Sequence, residues 1–323
     1  MKAVVCREYG GPENLVLDEL PDLTPGPGQV VIRVRAAAVN YPDVLLIGGN
    51  YQVKVPPPFS PGSEMAGEVL AVGEGVGYRV GERVSAAAFV GAFAEQAVVD
   101  ARGVTPIPDG IDFAEAAAFG VTYRTAYYTL RTIAPVRKGD WVVVLAAAGG
   151  VGLAAVDIAQ LFGGRVLAAA SGRHKLDLCR ERGAEAGVDY DREDLRERIK
   201  EITCNAGAQI VVDPVGGQYS LPALRGLGRQ GVFVTLGYAA GAIPAVPLNL
   251  VLLKGITIRG MEIRSFAADY PDEVVRDDEE LRQLFAEGKL RPHIGARFSL
   301  SDTATALRHV ADRKALGKVI IEV

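Results

Sequence analysis

The stretch that most constrains this chain is WVVVLAAAGGVGLAAVDIAQLF, residues 141–162. An unbroken aliphatic run has to be covered on both faces, as in the middle of a parallel sheet. Gly149, Gly150 and Gly152, with Val151 among them, then separate that run from a second one with helical spacing. The same texture continues in RVLAAAS, a helical RHKLDLCRERG, AQIVVDPV, QGVFVTLGY and GITIRGM. Such strand–helix alternation predicts an α/β doubly wound parallel sheet. Taken alone, the glycine cluster fits a plain tight turn as well as a phosphate cradle. Its place between a strand and a helix favours the cradle, because a backbone without Cβ approaches a pyrophosphate closely and a helix N-terminus attracts an anion. The first position of the usual glycine pattern is occupied by Ala146.

The chain up to about residue 110 has a different texture. KAVVC, QVVIRVRAAAV, MAGEVLAVG and AEQAVV read as short strands broken by Gly and Pro, which predicts a mostly antiparallel, barrel-like domain. DFAEAAAFGVTYRTAYYTLRTIA, residues 112–134, reads as a helix with acids near its start. The tail, roughly 266–323, carries two helical segments and a last strand, KVIIEV, and is expected to return to the first domain. With 323 residues there is enough chain for two cores.

Charge excludes several classes of function. Lys and Arg number 35 against 39 Asp and Glu, a net charge of −4, and no basic tract offers a footprint for nucleic acid or an anionic membrane. No apolar run approaches the length of a spanning helix. The N-terminal MKAVVCREYGGPENL lacks a signal-type apolar core. Cys6, Cys179 and Cys204 are few and far apart, which argues against a disulfide framework and fits a reducing cytoplasm.

Cofactor choice is legible at the end of the second strand of the alternating series. NAD sites place an Asp or Glu there for the ribose 2′-hydroxyl. Here the segment reads ASGRHK: Ser171, Gly172, Arg173 and Lys175, two cations and no carboxylate. A solvated basic helix start would look the same, but the composition suits a 2′-phosphate and hence NADPH.

With AAVNYPD (37–43), PGSEMAGEV (61–69), AAAGGVG, VVDPVGG (211–217) and LLKGITIRG (252–260), nearly the whole chain resembles the zinc-independent quinone oxidoreductase branch of the medium-chain dehydrogenase/reductase superfamily. The resemblance implies a GroES-like catalytic domain over 1–123 plus 266–323 and a Rossmann NADPH-binding domain over 124–265. It adds Tyr190 and Arg313 to Lys175 as partners of the 2′-phosphate, with Arg173 a further contact. It sets Thr122, Gly237 and Tyr238 near the nicotinamide end of the cofactor. Asn40 and Tyr51 resemble residues lining the quinone pocket; with Thr122 they are the candidate catalytic-site residues. The sequence departs from one bacterial pattern at Leu45, where a further pocket tyrosine would stand. A homodimer joined edge to edge through the strand near ITIRGME is also implied.

No metal is expected. The zinc branch would carry a Cys near Asn40–Asp43 and a His before the Glu of PGSE, where this chain has NYPD and Ser63. The structural four-cysteine cluster is absent, and His174, His293 and His309 read as surface or local structural residues. Glu64 fits either a ligand contact or a buried Glu paired with a nearby Arg, and RDDEELRQ reads as a solvated helix face. The leading function is NADPH-dependent reduction of quinones by direct hydride transfer. The alternatives are an NADPH-dependent reductase of enones, alkenals or enoyl thioesters, and an NADPH-binding protein with a structural or regulatory role.

Overall fold

Runs of β-branched and small residues build the N-terminal strands. In the computed structural model, which describes residues 1–323, β1 (Lys2–Cys6) and β2 (Leu15–Glu19) form an antiparallel pair. β3 (Gln29–Val39) is long, and its Val30, Val31, Ile32 and Ala36–Val39 are buried. α1 (Tyr41–Ile47) begins where the Asn40 N–H donates to Asp43 Oδ2 at 2.7 Å, half of a capping box, with Pro42 in the first turn. β4 (Glu64–Val72), β5 (Arg83–Ala87), β6 (Gln96–Asp100) and β7 (Val104–Pro106) follow, then α2 (Phe113–Tyr128).

The alternating segment comes next: β8 (Trp141–Leu145), α3 (Gly150–Leu161), β9 (Arg165–Ala170), α4 (Arg173–Glu181), β10 (Ala186–Asp189), α5 (Leu195–Ile202), β11 (Ala208–Asp213), α6 (Gly217–Gly226), β12 (Leu227–Thr235), α7 (Leu248–Lys254) and β13 (Thr257–Gly260). These strands form one six-stranded parallel sheet in the order β10-β9-β8-β11-β12-β13. The order reverses between β8 and β11, and the crevice at the carboxyl ends of two such strands is where open α/β sheets take ligands. Val142–Leu145 and Val166–Ala170 are buried, as doubly covered strands require. α8 (Ile263–Asp269) and α9 (Pro271–Ala286) follow, and β14 (Ile294–Ser299), α10 (Thr303–Ala311) and β15 (Lys318–Glu322) close the chain. β14 and β15 join the first sheet, which runs β14-β15-β3-β4-β5-β7 with β6 also on β3; apart from the parallel β14–β15 pair its strands are antiparallel. No helix is long and apolar enough to cross a membrane.

The chain divides into two units, Met1–Val121 with Arg291–Val323, and Thr122–Leu290. The second boundary therefore lies well beyond the expected 265/266, and the first at 121/122. α8 and α9 stay with the parallel sheet for a definite reason. The Phe266 ring stacks on Tyr128 at 4.4 Å, and Asp278 Oδ1 accepts from the Tyr128 hydroxyl at 2.6 Å and from Arg124 Nε at 3.0 Å. Glu280 takes the Tyr127 hydroxyl. Asp277 is buried and accepts from the Thr132 hydroxyl at 3.4 Å, as well as from its helix neighbour Arg276 at 2.6 Å. RDDEELRQ is thus no mere solvated face: three of its acids tie α9 down.

Candidate functional site

In the second unit, the turn after β8 is shaped by two close backbone approaches. Ala146, in the first glycine position, adopts a left-handed φ of 47°, which costs a non-glycine residue on the order of 1–3 kcal/mol. Gly149 caps α3 without any side-chain cap, Gly150 is the first helical residue and Val151 the second. A Cβ on Gly152 would sit 2.2 Å from the Ala146 carbonyl oxygen and 2.7 Å from Ala147 Cα. The steric need at Gly152 is therefore close packing of helix on turn, whereas the opening of α3 supplies amide donors to an anion.

The candidate phosphate residues converge at the ends of β9 and β10. The register sets Asp189 opposite Ala170, so Ser171 and Tyr190 leave neighbouring strands side by side. Lys175 Nζ donates to Ser171 Oγ at 3.2 Å, and the Tyr190 N–H reaches the Ala170 carbonyl at 3.3 Å. Tyr190 packs against Tyr219, ring centroids 4.3 Å apart. Tyr219 was not singled out in the sequence, nor was Asp191, whose carboxylate accepts from the Tyr219 hydroxyl at 2.9 Å. Arg173 opens α4 with its side chain 94% exposed, 3.8 Å from Asp177. Gly237 and Tyr238 follow β12 over the turn at the end of β11, where a Cβ on Gly216 would meet the Tyr238 ring at 2.7 Å. The buried Asp213 fixes that turn, accepting from the Val215 and Gly216 N–H groups and from Ser220 Oγ. Thr122 is buried at the start of this unit; Arg313, left-handed at φ 58°, belongs to the first.

The first unit holds a buried polar cluster around Asn40. Asn40 is 8% exposed. Its Oδ1 accepts from Lys318 Nζ at 2.6 Å, and its Nδ2 donates to Glu64 Oε2 at 3.2 Å and Ser63 Oγ at 3.4 Å. The amide is thus spent inside the domain rather than presented to a pocket. Lys318 also lies 3.2 Å from Glu64 Oε2, so the partner of Glu64 is a lysine and not the expected arginine. Glu64 Oε1 takes the N–H of Val121 at 2.6 Å. Tyr51 faces Phe89 with ring centroids 6.3 Å apart. No group of three or more His, Cys, Asp or Glu side chains is placed to hold a metal ion, and the three cysteines are free.

Asp43 adds a titratable element. Burial pushes its carboxyl up to about 7 from 3.8, against the lowering effects of the Asn40 N–H, Lys318 and Ser63. Between those two values the folded chain holds a proton that the unfolded chain has released. Stability therefore falls as pH rises across that window. Asp43→Asn keeps an oxygen for the Asn40 N–H and removes the titration. Its melting temperature relative to the parent is expected to climb between pH 5 and pH 8; parallel melting curves across that range would refute the assignment.

A parallel-sheet unit with a glycine turn and a cationic strand end, joined in one chain to an antiparallel unit, is the architecture of the medium-chain dehydrogenase/reductases. Residues 26–109 match the alcohol dehydrogenase GroES-like domain, and residues 150–277 match the family described as zinc-binding dehydrogenase. The chain is 35% identical to the quinone oxidoreductase-like protein 2 of Bos taurus, over 99% of this chain and 92% of that one. It is 34% identical to a quinone oxidoreductase of Pseudomonas aeruginosa over 99% of both. Its structure superposes on that of Escherichia coli quinone oxidoreductase complexed with NADPH with a TM-score of 0.93, at 28% identity and complete coverage of both chains. The chain belongs to the quinone oxidoreductase branch of the medium-chain dehydrogenase/reductase superfamily and is an oxidoreductase.

Proposed function

We propose that the protein reduces quinones with NADPH, by direct hydride transfer and without zinc. The observation that carries the choice of NADPH is the Ser171–Lys175–Tyr190 cluster, which offers hydroxyl and ammonium donors where an NAD site would offer a carboxylate. Gly149, Gly150 and Val151 at the start of α3 would receive the pyrophosphate. Ser171, Lys175 and Tyr190, with Arg173 and Arg313, would hold the 2′-phosphate. Thr122, Gly237 and Tyr238 would flank the nicotinamide. Bound NADPH supplies a hydride. The chain's task is to orient the acceptor and exclude water. A quinone spreads the incoming charge onto oxygen without strong polarisation, and water or the Tyr51 hydroxyl serves as proton donor. The Lys318 ammonium among Asn40 and Glu64 supports the zinc-free reading, since the polar cluster already contains its cation. We also place the protein in the cytoplasm as a homodimer joined through β13, an edge strand; Leu248, Leu252 and Leu253 on the nearby α7 are largely exposed.

One preparation tests these points. Quinones, alkenals and enoyl-CoA esters are assayed with NADPH and with NADH, zinc is measured by elemental analysis, and mass by light scattering. Quinone turnover with NADPH, undiminished by chelator, in a dimer holding far less than one zinc per chain is expected. Preferred turnover of alkenals or enoyl thioesters would move the acceptor to the alternative class. Tight NADPH binding with no turnover would favour a structural or regulatory role. Stoichiometric zinc needed for activity would overturn the mechanism.

A further inference from the structure

The first unit buries a lysine and a glutamate together. Lys318 opens β15 and is 3% exposed; Glu64 opens β4 and is 2% exposed. A buried ion pair is a weak source of stability, because desolvation offsets its attraction and an apolar pair of similar volume often does as well. Its worth lies in the geometry it fixes. With the ammonium 2.6 Å from Asn40 Oδ1 and the carboxylate 3.2 Å from Asn40 Nδ2, the Asn40 amide has one acceptable orientation. Turning it over would set its NH2 group against the ammonium and its oxygen against the carboxylate. Asn40 is the residue from which α1 starts, and α1 leads within a few residues to Tyr51. The second Glu64 oxygen holds the N–H of Val121 on α2 at 2.6 Å. One ion pair therefore sets two segments that carry candidate site residues.

We infer that Lys318 is a positioning residue for acceptor binding: through Asn40 and Glu64 it fixes the start of α1 and the Tyr51 segment beyond it, without itself touching the acceptor. The inference rests on the reductase reading above for what the pocket binds.

The test compares the parent with K318M, K318R, E64Q/K318M and N40S, reading acceptor KM, kcat, NADPH Kd and thermal stability. K318M leaves a buried carboxylate uncompensated and is expected to lower stability as well as acceptor binding. E64Q/K318M removes both charges and is expected to regain most of the stability. Its acceptor KM should stay raised by about tenfold or more while NADPH Kd stays within about twofold, the pattern of a lost acceptor-side interaction. K318R restores the cation and should bring acceptor KM back toward the parent more than the double variant does. N40S keeps a short polar side chain at the start of α1 but loses the amide, and should raise acceptor KM by a similar factor. A stable E64Q/K318M or N40S with the parent's acceptor KM would overturn the inference. So would an equal rise in NADPH Kd and acceptor KM. If the parent itself turns over no acceptor, the functional reading fails separately. The positioning claim is then read from the Asn40 side-chain amide protons by NMR: protected in the parent and exchanging freely in E64Q/K318M if it is right, unchanged if it is wrong.

Discussion

A valine at position 152 is expected to weaken NADPH binding more than tenfold, over about 1.4 kcal/mol. The reason is steric and lies in the backbone. A Cβ at Gly152 would stand 2.2 Å from the Ala146 oxygen and 2.7 Å from Ala147 Cα. Neither atom belongs to a side chain that could swing away. Relief requires α3 to move off the turn, or the turn to open, and Ala146 is already held at a left-handed φ of 47°. Either movement displaces the Gly149 and Gly150 amides from the position in which they would meet the pyrophosphate. Gly149 provides the contrast: a Cβ there meets only the Ala146 oxygen, at 3.3 Å, so Gly149→Ala should be much milder than Gly152→Ala. Titration of NADPH fluorescence, with circular dichroism to verify folding, measures both. A folded Gly152→Val protein with the parent's affinity would remove the turn from cofactor binding.

What could be read from the sequence was whatever depends on neighbours along the chain. The parallel sheet was legible because Val142–Leu145 and Val166–Ala170 are continuous aliphatic runs, and doubly covered strands leave no other pattern. The cationic strand end was legible because Ser171, Arg173 and Lys175 fall within five consecutive residues that contain no carboxylate. What depends on distant partners was hidden. Lys318 meets Glu64 from 254 residues away, and nothing in GKVIIEV marks that lysine as buried. The Asn40 segment resembles one that lines a quinone pocket, and nothing near it in sequence marks its amide as turned inward to Lys318 and Glu64. The acids of α9 have the spacing of a surface helix. Partners about 150 residues upstream in sequence, the hydroxyls of Tyr127 and Tyr128 with Arg124, give Glu280 and Asp278 their tethering role, and with it the domain boundary at Leu290.

Cofactor choice is where charge should act most directly. Lys175 and Ser171 are hydrogen-bonded to each other at 3.2 Å, and Tyr190 leaves the adjacent strand beside them. Charge-assisted hydrogen bonds contribute about 1.5–3 kcal/mol each, and a phosphate met by two or three of these donors would gain more than one such increment. Solvent access at the strand ends reduces the sum, so the expected preference for NADPH over NADH is about tenfold or more. Lys175→Ala should remove most of it and leave NADH binding nearly unchanged, since only NADPH carries the 2′-phosphate. Arg173→Ala should do less, because that side chain is 94% exposed and can be held only loosely. Salt provides an independent check. The Debye length shrinks from about 10 Å at 0.1 M to about 3 Å at 1 M, so the preference should narrow as salt is raised if charge is its cause. Equal use of NADH and NADPH by the parent would refute the assignment. A Lys175→Ala protein that loses both cofactors to the same degree would also refute it, because the lysine would then support the strand end itself rather than the phosphate.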